Sequence, residues 1–203
     1  MDREMFPIVN GNRKRSPRGA SGFTVIELVI VMSMMVILVG IVAPRMRVSP
    51  TRRVQGVAHQ MVGHLELARS RALGQRQLTR VVFDENKRTY TAYVDHDRNG
   101  NVTASIGSTD EIEAFFEFGE RELAMFVDFG RGNASTIPGD PSLDAVTLAS
   151  NELDLSVRGV PEPWGTAGTV YLVHQDDPDV VAAISIASSG SFKAWRWFQG
   201  EWR

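Results

Sequence analysis

The chain has 203 residues, 43% hydrophobic and 23% charged, a composition that builds a packed core and excludes disorder throughout. It has no cysteine, which excludes a disulfide scaffold, a thiol nucleophile and a cysteine-ligated zinc site. The net charge of -2 conceals a partition: residues 1–22 carry +3, residues 23–43 carry -1, residues 44–80 carry +7 and residues 81–203 carry -11.

The first element is the run Phe23 to Ala43, FTVIELVIVMSMMVILVGIVA, with Glu27 as its one ionisable side chain. As a helix it would rise about 32 Å, close to the hydrocarbon thickness of a bilayer. A buried core helix would show a stripe rather than apolar residues all round. A cleaved secretory signal would be shorter and followed by a small-residue site, whereas Ala43-Pro44-Arg45-Met46-Arg47 follows here. The expectation is a retained transmembrane helix over residues 23–43. The basic cluster Arg13-Lys14-Arg15 with Arg18 favours a cytoplasmic N-terminus, while Arg45, Arg47, Arg52 and Arg53 pull the other way.

Glu27 breaks the tie. A carboxylate in hydrocarbon is costly unless compensated, and a helix N-terminus offsets only a fraction of that cost. A free amine made at Phe23, in the same chain or a neighbour, would compensate it. Gly22-Phe23-Thr24-Val25-Ile26-Glu27 therefore reads as a cut site, a new N-terminus and its counter-ion.

This stretch, continued by Leu28, resembles the class III signal of type IV pilins and pseudopilins. The resemblance implies that residues 1–22 are a leader, cut after Gly22 by a prepilin peptidase that then methylates the Phe23 amine. It implies that Glu27 pairs with the N-terminus of an adjacent subunit during assembly. Pro44 stands where many pilins carry a helix-bending proline. The implied location is the bacterial inner membrane, single-pass, with the N-terminus cytoplasmic and the C-terminal domain periplasmic.

Beyond the membrane, Val54, Ala58, Met61, Leu65, Ala68 and Ala72 recur at helical spacing, within an amphipathic helix expected over residues 44–76. Ser49-Pro50 can start it, and Gly74 weakens its end. The period then changes to two. Leu78–Asp84 and Thr89–Asp95 alternate about Glu85-Asn86-Lys87-Arg88 and predict a hairpin. Further strands are expected at Ile112–Phe118, Ala124–Phe129, Ala145–Ala149, Leu153–Val157, Thr169–His174, Val180–Ala187 and Phe192–Phe198. Turns are expected at Asp176-Asp177-Pro178-Asp179 and Ser188-Ser189-Gly190-Ser191, and a polar loop at Gly130–Pro141. The predicted class is α+β: a long N-terminal helix packed on an antiparallel sheet or sandwich over residues 77–203.

Ala68-Arg69-Ser70-Arg71-Ala72, the hairpin, Asp95–Gly100 and the late Ile184 to Gly190 turn together resemble the GspH/FimT branch of minor pseudopilins and minor type IV pilins. That resemblance implies a non-enzymatic subunit of the pseudopilus of a type II secretion system, at or near the filament tip. Its alternative is a minor type IV pilin serving pilus assembly or DNA uptake. The implied partners are other pseudopilins or pilins, the peptidase, inner-membrane lipid and exported cargo. A membrane-anchored binding module outside any filament is the third reading.

Three candidate chemistries remain. Asp95, Asp97 and Asn99, before Gly100, match the first half of a calcium loop, but Ile106 stands where the bidentate acid belongs, so a plain polar turn is the simpler reading. The tail around Lys193, Trp195 and Arg196 interleaves bases and aromatics as single-stranded nucleic-acid binders do, yet the -11 of residues 81–203 repels a polyanion. His59 and His64 are not spaced to ligate from one helix face, and His96 and His174 are scattered, so no metal and no cofactor is expected. The arginines of residues 45–80 are read as facing anionic lipid or an acidic groove on a neighbouring subunit.

Overall fold

In the computed structural model the residues described are 23–42, 49–102, 111–117, the last for the backbone only, and 125–203. The leader, Gly22, Ala43, Pro44 and Ile106 lie outside them. The chain divides into two units with the boundary between Arg47 and Val48.

The first unit holds helix α1, Val25–Val42, 18 residues. Its apolar side chains are exposed all round, from Val25 at 83% down to Val31 at 45%. Among the described residues no helix is long and apolar enough to cross a membrane. The span expected at 23–43 lies partly outside the described residues, which end at Val42 in this segment.

The second unit opens with α2, Pro50–Gln75. Ser49 caps it, its hydroxyl accepting the Arg52 N–H at 3.4 Å, and Pro50 occupies the first turn, where its missing N–H costs nothing. Arg76 ends it in the left-handed region at φ 53°. The six apolar residues read from the spacing are all buried, and Val57 joins them.

Ten strands among the described residues form two antiparallel sheets. The first is ordered β3-β2-β1-β5-β6, from Thr79–Asp84 (β1), Thr89–Val94 (β2), Glu111–Glu117 (β3), Glu152–Leu155 (β5) and Pro161–Glu162 (β6). The second is β10-β9-β8-β7-β4, from Val127–Phe129 (β4), Gly168–His174 (β7), Asp177–Ile186 (β8), Phe192–Phe198 (β9) and Glu201–Trp202 (β10). The α+β class is therefore as expected, with α2 packed on antiparallel sheets.

The expected β1–β2 hairpin forms, with Asp84 opposite Thr89. Its turn is braced by Asp84, whose Oδ1 accepts the Lys87 N–H at 2.9 Å and whose carboxyl is thereby held below the usual carboxylate range. Ala145–Ala149 does not become a strand. Val146 makes one bridge to Val170, the Thr147 hydroxyl takes the Thr169 N–H at 2.7 Å, and the chain then turns at Ala149–Asn151. The expected Asp176–Asp179 turn also moves. The chain reverses at Gln175-Asp176, and Pro178 lies in the irregular start of β8, where the pairing jumps from His174↔Asp177 to Val173↔Val181 and asks no ladder donor of it.

One core joins the layers. Val81, Phe83, Tyr90, Ala92, Leu153 and Leu155 of the first sheet share it with Val170, Leu172, Ala182, Ile184 and Ile186 of the second and with the apolar face of α2. One arginine ties the two sheets and another clamps two strands of the first. Arg88, in the β1–β2 turn, donates from Nη2 to the Val127 carbonyl at 3.1 Å and lies 3.5 Å from Asp128 on β4. Arg80 on β1 makes two bonds to Asp154 on β5, 2.6 and 2.8 Å, clamping strands whose register sets those residues opposite each other.

The outer side of the second sheet has its own apolar cluster of Ile137, Tyr171 and Ala183, flanked by Trp195 and Trp202. The Tyr171 hydroxyl accepts the Ile137 N–H at 3.0 Å, and burial pushes this phenol above the ordinary tyrosine range. A raised folded pKa contributes stability that is complete below the unfolded value, near 10, and is lost as pH rises through the folded value. In a titration of tyrosinate absorbance, Tyr171→Phe is expected to remove a late-ionising phenol.

Candidate functional site

Of the motif Gly22 to Glu27, the described part begins at Phe23, which is 80% exposed. Thr24 caps α1. Its Oγ1 accepts the Glu27 N–H at 3.3 Å and its carbonyl accepts the Leu28 N–H at 3.2 Å. Thr24 and Glu27 thus stand at N-cap and third helical position, the spacing of a capping box. The helix starts where it does because this pair terminates it, and the cap holds Glu27 in the first turn, at the positive end of the helix dipole. Ser33, the other polar side chain of α1, returns its hydroxyl to the Val29 carbonyl at 2.8 Å and offers nothing outward. What remains is an apolar cylinder with one charge at its N-terminal end.

The Asp95–Gly100 loop spends its oxygens on itself. Asp95, 3% exposed, accepts the Asn99 N–H at 3.1 Å through Oδ1 and the Gly100 N–H at 3.0 Å through Oδ2. Asp97 accepts the Asn99 backbone and side-chain N–H groups at 3.0 and 2.8 Å, and Asn99 Oδ1 accepts the Asn101 N–H at 2.7 Å. The alternate oxygens that suggested calcium are those of a self-capped polar turn. Among the described residues no group of three or more His, Asp or Glu side chains could hold a metal ion.

The tail residues do not converge. Lys193 Nζ lies 3.4 Å from the centre of the Trp195 ring, whose Nε1 donates to Ser185 Oγ at 2.9 Å. Arg196 falls on the other side of β9 by strand alternation and stacks on Phe198 at 5.0 Å. Trp195 is thus capped by a lysine and bonded to its own sheet, and the three residues offer no shared stacking platform.

The second resemblance pointed to Ala68–Ala72 and the Ser188–Gly190 turn, and these meet. Arg69 Nε donates to the Gly159 carbonyl at 3.0 Å. A Cβ on Gly190 would lie 2.3 Å from that same carbonyl oxygen, and one on Gly159 would lie 2.8 Å from Leu73 Cγ. The β5–β6 turn of one sheet, the β8–β9 turn of the other and the last turns of α2 close on each other through two glycines and an arginine.

No protein-family model and no curated protein matches the sequence. Solved pilin-type structures are similar in outline. One is the type IV minor pilin FimU of Pseudomonas aeruginosa strain PAO1, at 15% identity and TM-score 0.45, covering 69% of this chain and 86% of that one. Another is the minor pseudopilin EpsH from the type II secretion system of Vibrio cholerae, at 13% identity and TM-score 0.45, covering 70% of this chain and 95% of that one. The likeness stays at the level of outline, and no residue role crosses it.

The sequence reading missed two features. Thr24 was legible as the first letter of a Thr-x-x-Glu box. The pairing of Trp197 with Trp202, ring centroids 5.2 Å apart, was not, because it depends on the hairpin that folds β10 back onto β9.

Proposed function

We propose that this chain is a minor pilin-type assembly subunit, anchored in the inner membrane by the apolar segment that contains α1 and matured by cleavage after Gly22. The observation that carries the reading is Glu27: a lone carboxylate in the first turn of an otherwise apolar, fully exposed helix, five residues past a glycine that follows a basic leader. Such a charge calls for a cation at the same depth, and an α-amine at Phe23 of an adjoining subunit supplies one. The exposed side chains of α1 need an apolar surround, either lipid or the helices of neighbouring subunits. The work done is assembly rather than catalysis.

Within that class, a pseudopilin of a secretion system is favoured over a nucleic-acid-binding minor pilin. Residues 81–203 carry -11, and Lys193, Trp195 and Arg196 do not share a face that could stack bases.

Intact mass of the membrane-extracted protein tests the reading. The expected product begins at methylated Phe23, and Gly22→Ala retains residues 1–22. Wild-type protein that still begins at Met1 overturns it. Glu27→Ala is expected to insert normally and to lose co-purification with neighbouring subunits. Undiminished co-purification removes the role given to Glu27.

A further inference from the structure

A groove of about 740 Å³ runs beside β10, between the tip of the β9–β10 hairpin and the loop of residues 135–141. Trp197 and Trp202 form one wall, their rings tilted at 58°. The facing loop is pinned rather than loose. Trp202 Nε1 donates to the Ser135 carbonyl at 2.9 Å, and the Ile137 N–H is held at 3.0 Å by the buried Tyr171 hydroxyl. Ile137 belongs to the outer apolar cluster, so the groove stands on packed side chains and is formed in advance of any ligand.

Its chemistry has one sign. The charged residues of the lining are Asp140 and Glu201, and no lysine or arginine lines it. Glu201 is 73% exposed, and its contact with Arg203, at 3.8 Å between two exposed side chains, is weak enough to be displaced. Asp140 accepts from the Ser142 N–H at 3.0 Å and the Thr147 hydroxyl at 3.1 Å, which fixes its negative charge at the groove. Indole faces carry negative quadrupole density, and carboxylates beside them add to the same field. Together they select a cation able to stack.

The same sequence carries a counterpart. Residues 44–53 hold Arg45, Arg47, Arg52 and Arg53 and no acid; Arg53 stacks on Phe126 of its own chain, 4.8 Å from the ring centre, so the counterpart is drawn from the other three. We infer that the Trp197–Trp202 groove receives an arginine side chain from the basic stretch that follows the apolar segment of a neighbouring subunit. The contact is heterologous, one surface on one subunit and a different one on the next, as an extending filament requires. The inference rests on the filament-subunit reading above.

The test is isothermal titration of the full chain in detergent micelles with a synthetic Pro44–Arg53 peptide, and with the same peptide carrying citrulline at each arginine. The arginine peptide is expected to bind saturably and the citrulline peptide at least about tenfold more weakly. Glu201→Gln and Trp197→Ala are each expected to weaken binding about fivefold or more. Absence of saturable binding up to about 1 mM, or equal affinity for the two peptides, overturns the inference. Binding unchanged in both variants places the peptide elsewhere and overturns it too. Should Trp197→Ala fail to fold, Glu201→Gln and the citrulline peptide still decide. The intact mass separates the two readings: a protein cut after Gly22 that ignores the peptide sinks only this inference, whereas a chain beginning at Met1 sinks the filament reading whatever the titration gives.

Discussion

Gly190→Ala is expected to destabilise the unit from Val48 to Arg203 by about 2–4 kcal/mol, as measured by urea unfolding. Two costs combine. Gly190 sits at φ +82°, where an L side chain is strained by about 1–2 kcal/mol. The added methyl would also lie 2.3 Å from the Gly159 carbonyl oxygen and 3.4 Å from Arg69 Nε. That oxygen is backbone, so relief requires one turn to retreat from the other, and the Arg69 bond to Gly159 is lost with it. Gly165→Ala is the control. Its φ is +94°, but a Cβ there meets nothing within 4 Å, so only the conformational term remains, about 1–2 kcal/mol. Equal losses for the two variants would show that the two turns do not meet as described.

That seam illustrates where sequence reading succeeds and stops. Residues whose environment is set by local period were legible. Every third or fourth residue from Val54 to Ala72 is buried, and the alternation of β1 and β9 located those strands to within a residue. Val57 escaped because the stripe on α2 is wider than one row: the helix faces two sheets rather than one. Features set by chain return were not legible. Two-residue strands such as β6 and β10 carry no period, and Ala145–Ala149 looks like a strand by composition but is reduced to a bridge by the Thr147 side chain. The charge motif at Glu27 was legible for a different reason. One acid in an apolar run is an anomaly at any level of structure. The Asp95–Gly100 loop shows the complementary case: alternating Asp and Asn oxygens serve a turn as readily as an ion, and here they accept the Asn99 and Gly100 N–H groups of their own loop.

Leu65→Ala is expected to be the costliest single truncation of the helix, about 3–5 kcal/mol. Leu65 is 0% exposed and sits midway along the buried row of α2, in the cluster that also holds the inner residues of both sheets. Removing three carbons there loses their transfer free energy. It also leaves a cavity that cannot collapse by moving one sheet, because Arg88 at the β1–β2 turn and the Gly159–Gly190 contact hold the two sheets together. Leu67, two residues on and 43% exposed, lies on the other side of the same helix. Leu67→Ala should change stability by no more than about 0.5 kcal/mol, since little is uncovered and alanine suits a helix. The comparison holds helix, residue type and chemistry constant and varies only the face. A midpoint shift of equal size for the two variants would contradict the packing of α2 against both sheets, and with it the arrangement that carries the groove.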